Sequence, residues 1–188
     1  MVTPAGASER PVPTVDTIRK VVVVGDPVLS TPTRAVTDFD AELARLIDDM
    51  FDTLRVAEGV GLAATQVGVD LAVFVYDCPD ETGRRRRGHV VNPVVVRADG
   101  PLDAGEEGCL SVPGPFHELT RATQVTVGGV DKTGKPIEVS GSDYFARCLL
   151  HETDHLKGVL YIDYLPRNRR RRVIREMQPF DWNAPVVG

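Results

Sequence analysis

The chain has 188 residues, enough for one domain with its own hydrophobic core. Hydrophobic residues are 42% and charged residues 26%, an ordinary globular balance, and the formal net charge of −5 argues against a DNA-binding or general nucleic-acid-binding protein. Three cysteines make no disulfide framework, and no window reaches the roughly 18 apolar residues of a membrane span, so the expectation is a cytoplasmic protein with reduced thiols.

Residues 1–17 are rich in Pro, Ala and Thr, lack an apolar core, and read as a disordered arm rather than a signal peptide. Val21, Val22, Val23 and Val24 form a short buried run closed by the turn signal Gly25-Asp26-Pro27. Over residues 40–59, Leu43, Leu46, Ile47, Met50, Phe51 and Leu54 recur at steps of three and four, which predicts an amphipathic helix stopped by Gly59. "GVGLAATQVG", residues 59–68, reads as a small-residue loop. Strands are predicted at "LAVFVYD", residues 71–77, and at "HVVNPVVVR", residues 89–97, the second broken by Pro93. Between them "CPDETGRRRRG" reads as a polar loop whose arginines, 84–87, are solvated surface. "QVTVGGV" and "PIEVS", joined through "DKTGK", predict a hairpin. A histidine-bearing helix and a basic segment, residues 167–188, complete the chain, and "RNRRRRVIREM" within that segment reads as helical. Strands followed by a helix, without regular alternation, predict an α+β fold: mainly antiparallel sheets packed around a central metal-binding helix.

That helix contains "LLHETDHLKG", residues 149–158. Ser140 or Ser142 can cap it, Asp143 sits in its first turn, and Gly158 ends it. At about 100° per residue, Tyr144, Phe145, Cys148, Leu149 and Leu156 share one broad face, and Arg147, Asp154 and Lys157 fall opposite. His151, Glu152 and His155 land inside the apolar arc. Buried ionisable groups are costly without partners, and two histidines four residues apart can share one divalent ion. A catalytic zinc-type site takes a third protein ligand and keeps a water. Residue type leaves His89, His117, Cys78, Cys109 and several carboxylates open. Cys109, in "EEGCLSVPG" between a glycine and a turn-prone stretch, is better placed than Cys78 at a strand end, and Cys148 reads as a small hydrophobe.

Three separated stretches, "GVGLAATQVG", "EGCLSVPG" and "HETDHLKG", resemble the three signature motifs of peptide deformylases, in the same order, with the likeness running from about Lys20 to Leu165. The resemblance implies a metal-dependent hydrolase that removes the formyl group from N-formylmethionine at the start of newly made peptides and releases formate. It implies a deformylase catalytic domain over residues 18–166, with Cys109, His151 and His155 as metal ligands. It makes Glu152 the general base and acid, and the Gln66 side chain and Leu110 N–H the transition-state donors. It gives Val60, Gly61 and Gly108 to an extended peptide, and Val60, Tyr144, Cys148 and the flank of His151 to the substrate side chain. It also implies one Fe²⁺ per chain, with Zn²⁺, Ni²⁺ or Co²⁺ able to replace it. The chemistry is coherent: an acidified water, a proton shuttle beside it, and fixed donors for the oxygen that gains charge.

The alternative is a zinc endopeptidase of the H-E-x-x-H type, but no third histidine or glutamate follows at a zincin spacing. The expected partners are formyl-methionyl peptides, with no membrane. The arginines of residues 167–175 read either as a solvated helix or as a dock to ribosomal RNA beside the nascent chain.

Overall fold

Helix α1, Ala41–Val56, follows the three-and-four pattern. The Asp40 carboxylate caps it, accepting from the N–H groups of Glu42 and Leu43. Leu43, Leu46, Ile47, Met50 and Leu54 are buried with Val73, Val75 and Val91 in one core cluster. The left-handed residue after the helix is Glu58, at φ +53°, not Gly59. Gly59 is needed for space, since a Cβ there would meet Leu54 Cδ1 at 2.8 Å. The structure, a computed structural model, describes residues 17–178. The expected arm therefore lies outside the described residues except for Thr17, as does the basic segment from residue 179.

Strands β1 (Gly61–Ala63), β2 (Val73–Pro79), β3 (Arg85–Cys109), β4 (Val112–Val130) and β5 (Pro136–Ser142) pair antiparallel in the order β1-β2-β3-β4-β5. The fold class is α+β as expected, with the strands in one meandering sheet. Register shifts between β3 and β4, at Val91/Val94, Val95/Arg97, Asp99/Leu102 and Glu107/Cys109, let two very long strands bend around the helix. Pro93 marks a bulge rather than a strand end. Beside it Asn92 takes φ +51°, and its side chain accepts from Val36 N–H at 2.8 Å and donates to Val36 O at 2.9 Å.

Several local expectations are corrected. The stretch 59–68 is not a loop: it holds β1 and a 3-10 turn, Ala64–Val67, closed by Gly68 at φ +78°. From Gly61 to Val67 every residue is buried, so small side chains there serve close packing. The arginine run 84–87 is exposed as expected but lies mostly in β3 rather than in a loop, and Asp77 on β2 accepts from Arg85 Nε at 2.8 Å and Arg87 Nη1 at 3.2 Å. Arg87 also sits 3.9 Å from the Phe51 ring centroid. Of the four valines 21–24, only Val21 is fully buried, and the run forms no strand. Val22 N–H donates to Gln66 O at 2.8 Å and Val24 N–H to Ser111 O at 2.9 Å. The run therefore stitches the first and second motifs together.

Helix α2, Asp143–Leu156, is central and touches all five strands. Phe145, Ala146 and Leu149 are buried, and Leu150 packs on the same cluster. The two-faced wheel fails here. Arg147 and Asp154, expected on the wet side, are only 7% and 8% exposed, whereas Tyr144, expected on the apolar face, is 50% exposed. A helix wrapped by a sheet has no wet side, so its charges must find partners. Ser142 occupies the N-cap position without a side-chain cap bond, and Asp143 takes φ +49°. Gly158 follows the helix at φ +73°. Helix α3, Arg167–Glu176, forms where the sequence predicts it. Its Val173 is buried with Leu29, Leu160, Tyr161 and Ile162, and its arginines are exposed. No helix among the described residues is long and apolar enough to cross a membrane.

Candidate metal centre

The hairpin between β3 and β4 turns at Leu110 and Ser111, with Cys109 paired to Val112. This brings Cys109 against α2, where Cys109 Sγ lies 3.3 Å from His155 Nε2. One ligand atom each from Cys109, His151 and His155 fall within 4.8 Å of one another. Among the described residues this is the only cluster of its kind. His89, His117 and Cys78, open on sequence grounds, do not join it; His89 Nε2 accepts from Lys132 N–H at 2.9 Å instead.

The two histidines are held differently. His151 Nδ1 lies 3.0 Å from Glu107 Oε2. Burial favours a neutral Glu107, but hydrogen bonds from His151 and Arg121 outweigh it and pull its carboxyl down to about 2. An ionised carboxylate can only accept, so Nδ1 donates to it and Nε2 is the nitrogen left to face an ion. Burial opposes a charged His151, yet the Cys109 sulfur and Glu107 raise its pKa well above the ordinary value. The same neighbours favour a bound cation. His155, 1% exposed, is driven well below an ordinary histidine by burial and by His151. Its Nδ1 is buried without a partner among the described residues. Two imidazoles and a sulfur at this spacing suit a divalent transition metal.

Glu152 sits beside the cluster without belonging to it. It is 3% exposed, and its Oε2 is buried without a partner among the described residues. Burial lifts its carboxyl to about 7. Gly61 leaves the space it fills, since a Cβ at 61 would meet Glu152 Cδ at 2.7 Å. Gln66 is oriented by its own loop: Oε1 accepts from Ala63 N–H at 2.8 Å, so Nε2 points to Ser111 Oγ at 3.3 Å and Cys109 Sγ at 3.5 Å.

These groups open on a cavity of about 510 Å³. Val60, Gly61, Gln66, Gly108, Cys109, Leu110, Tyr144, Cys148, His151 and Glu152 all line it, while His155 lies behind. The sequence reading missed Glu107, Arg121 and Ser111. It had Arg147 on the solvent side of the helix. Nothing local separates Glu107 from Glu106; its partner is 44 residues away.

Comparison with known proteins identifies the family. A family model described as polypeptide deformylase matches residues 18–171. The chain belongs to this family. Peptide deformylase 1 of Streptomyces avermitilis is 52% identical over 174 residues, covering 91% of this chain and 81% of that protein. The peptide deformylase of Rhodococcus opacus is 48% identical over 172 residues, covering 87% of this chain and 88% of its own. A crystal structure of a peptide deformylase from Legionella pneumophila has a TM-score of 0.78 at 42% identity, covering 85% of this chain and 92% of that one. Deformylases are hydrolases of protein biosynthesis that act on formylated peptides, and the endopeptidase alternative is set aside.

Proposed function

We propose that this deformylase removes the formyl group from N-formylmethionine at the start of newly made peptides and releases formate, using a metal held by Cys109 Sγ, His151 Nε2 and His155 Nε2. One observation carries the reading: the Cys-His-His cluster opens on a cavity beside the buried Glu152, whose Oε2 has no partner among the described residues. When bound, a divalent ion there supplies Lewis-acid chemistry near neutral pH. Glu152 takes the proton of the attacking water and delivers it to the leaving amine. Gln66 Nε2 and the Leu110 N–H donate to the formyl oxygen as it gains charge.

The peptide binds as an added strand. β1 is the sheet's edge strand, and just before it Val60 O accepts from Asp77 N–H of β2 at 2.9 Å. Alternation along the strand turns the Gly61 backbone toward the open edge. Across the cavity, Gly108 lies where β3 pairs with β4 but is beyond its pairing with β2. The methionine side chain fills the slot beside Val60, Tyr144, Cys148 and the flank of His151.

The ion is Fe²⁺ in our reading, with Zn²⁺, Ni²⁺ or Co²⁺ as substitutes, and the enzyme works in the cytoplasm. The thiolate of Cys109 on an open iron site is exposed to oxidation toward sulfenic and sulfinic acid, whereas zinc has no redox chemistry. Metal-free protein is loaded anaerobically with Fe²⁺ or Zn²⁺ and assayed for formate from formyl-Met-Ala before and after exposure to air. The iron form is expected to be faster and to fade in air, and the zinc form slower and stable. Equal rates and equal air stability refute iron; no formate with any metal refutes the activity.

A further inference from the structure

Glu107 has four donors for about the four acceptor positions that an ionised carboxylate offers. Oε1 accepts from Arg121 Nε at 2.8 Å and Arg147 Nη1 at 3.0 Å. Oε2 accepts from Arg121 Nη2 and His151 Nδ1, each at 3.0 Å. Arg121 comes from β4, but Arg147 comes from α2 itself, one turn before His151. Arg147 Nη1 also donates to Leu119 O at 2.7 Å and Nη2 to Asp103 O at 3.0 Å. A single guanidinium therefore joins α2, β3 and β4 to the carboxylate that braces a candidate ligand. The strand makes room for it. A Cβ at Gly105 would meet Arg147 Nη2 at 2.8 Å and Cζ at 3.0 Å. Gly105 is not among the glycines with positive φ, so space rather than backbone conformation explains that glycine.

We propose that Arg147 is a positioning residue of the metal centre. It holds Glu107, and through Glu107 the ring of His151, so that Nε2 stays aimed at the ion. The proposal rests on the metal reading above. Two effects compete. A guanidinium repels a dication, so removing its charge alone would tighten binding. Removing its fork takes one donor from Glu107 and strips two backbone carbonyls, which frees the ring. Loss of such outer partners costs about 10–100-fold in metal affinity. Arg121 and Arg147 are balanced by Glu107 and Asp154, with Arg121 Nη1 donating to Asp154 Oδ2 at 2.6 Å. The repulsion is therefore largely cancelled already, and the fork decides.

The test follows zinc transfer from Zn²⁺-loaded protein to an excess of chromophoric chelator. The parent is compared with Arg147→Met, Arg147→Lys and Gly105→Ala, and the melting temperatures of the metal-free proteins are measured alongside. Arg147→Met is expected to release zinc about 10-fold faster. Arg147→Lys, which keeps the charge, should fall between. Gly105→Ala, which pushes an intact arginine off Glu107 without changing any charge, should match the lysine variant, and it keeps the test alive if Arg147→Met fails to fold. A purely structural role would lower melting temperatures and leave release from folded protein at the parent rate. Release at or below the parent rate in the folded variants overturns the proposal. A parent that takes up no zinc overturns the metal reading instead.

Discussion

Arg147 in α2 and Arg172 in α3 carry the same side chain under opposite conditions. Arg147 is 7% exposed and hydrogen-bonds to Glu107 and to two backbone carbonyls, Asp103 O on β3 and Leu119 O on β4. Arg172 is on the surface, and its Nε donates to Glu176 at 2.7 Å one turn along its own helix. Buried, an unpaired charge is so costly that the partners are part of the fold, and removing one partner costs several kcal/mol. Exposed, the same pair is screened by water and salt and contributes little. Counting arginines therefore says little; the useful question is which of them the fold has surrounded.

The largest effect that would sharpen this contrast is expected at the buried centre. Glu152→Gln keeps the shape and the three candidate ligands but removes the proposed proton carrier. Formate release should fall at least about 10²–10⁴-fold with metal content unchanged, measured on formyl-Met-Ala and by elemental analysis. A near-normal rate would take Glu152 out of the mechanism. Next comes Glu107→Ala, which leaves Arg121 and Arg147 buried without their shared anion. It should cost about 3–5 kcal/mol in urea unfolding and lower metal content as well. A loss below about 1 kcal/mol, the scale of a surface pair, would erase the distinction drawn between the two helices.

How much of this was legible follows from distance along the chain. The His-Glu-x-x-His spacing is local, so its shared face could be read directly. α1 could be read for the same reason, its apolar stripe packing on one surface. Cys109 was one candidate among several until the motif resemblance singled it out. Arg147 and Asp154 were misplaced because a helical wheel assumes one buried side, whereas α2 is enclosed by all five strands. The length of β3 and β4 was hidden because bulges interrupt the alternation that announces a strand. The stretch 59–68 was misread because glycines and alanines mark loops and close packing alike.

A smaller effect is expected at Gly61. Its backbone is not left-handed, so alanine is tolerated by conformation. A Cβ there would press on the Glu152 carboxyl, whose Cδ lies 2.7 Å away. A displacement of about 1 Å at a catalytic group can cost about 10²-fold in rate. Gly61→Ala should therefore lose turnover while its metal content and melting temperature stay close to the parent's. An unchanged kcat would mean that Glu152 has room to move, and that this part of the centre is less tightly packed than the distances indicate.

The smallest effect on the enzyme itself is expected from replacing Arg169, Arg170, Arg171 and Arg172 together by serine. All four are exposed. Arg170 pairs with Asp163 at 3.0 Å and Arg172 with Glu176 at 2.7 Å, both at the surface. The melting temperature should stay close to the parent's, and hydrolysis of a short formyl peptide should be unaffected. What anchors α3 is Val173, which is buried and untouched. The quadruple variant therefore separates the helix's attachment from its charge. If the basic face docks on ribosomal RNA, co-sedimentation of the parent with ribosomes should weaken steeply with added salt, because each phosphate contact releases a counterion. The serine variant should sediment poorly even at low salt. Equal co-sedimentation of parent and variant would leave the α3 arginines as solvated surface and remove the ribosome from the reading, with the buried arginines of α2 and β4 unaffected by that result.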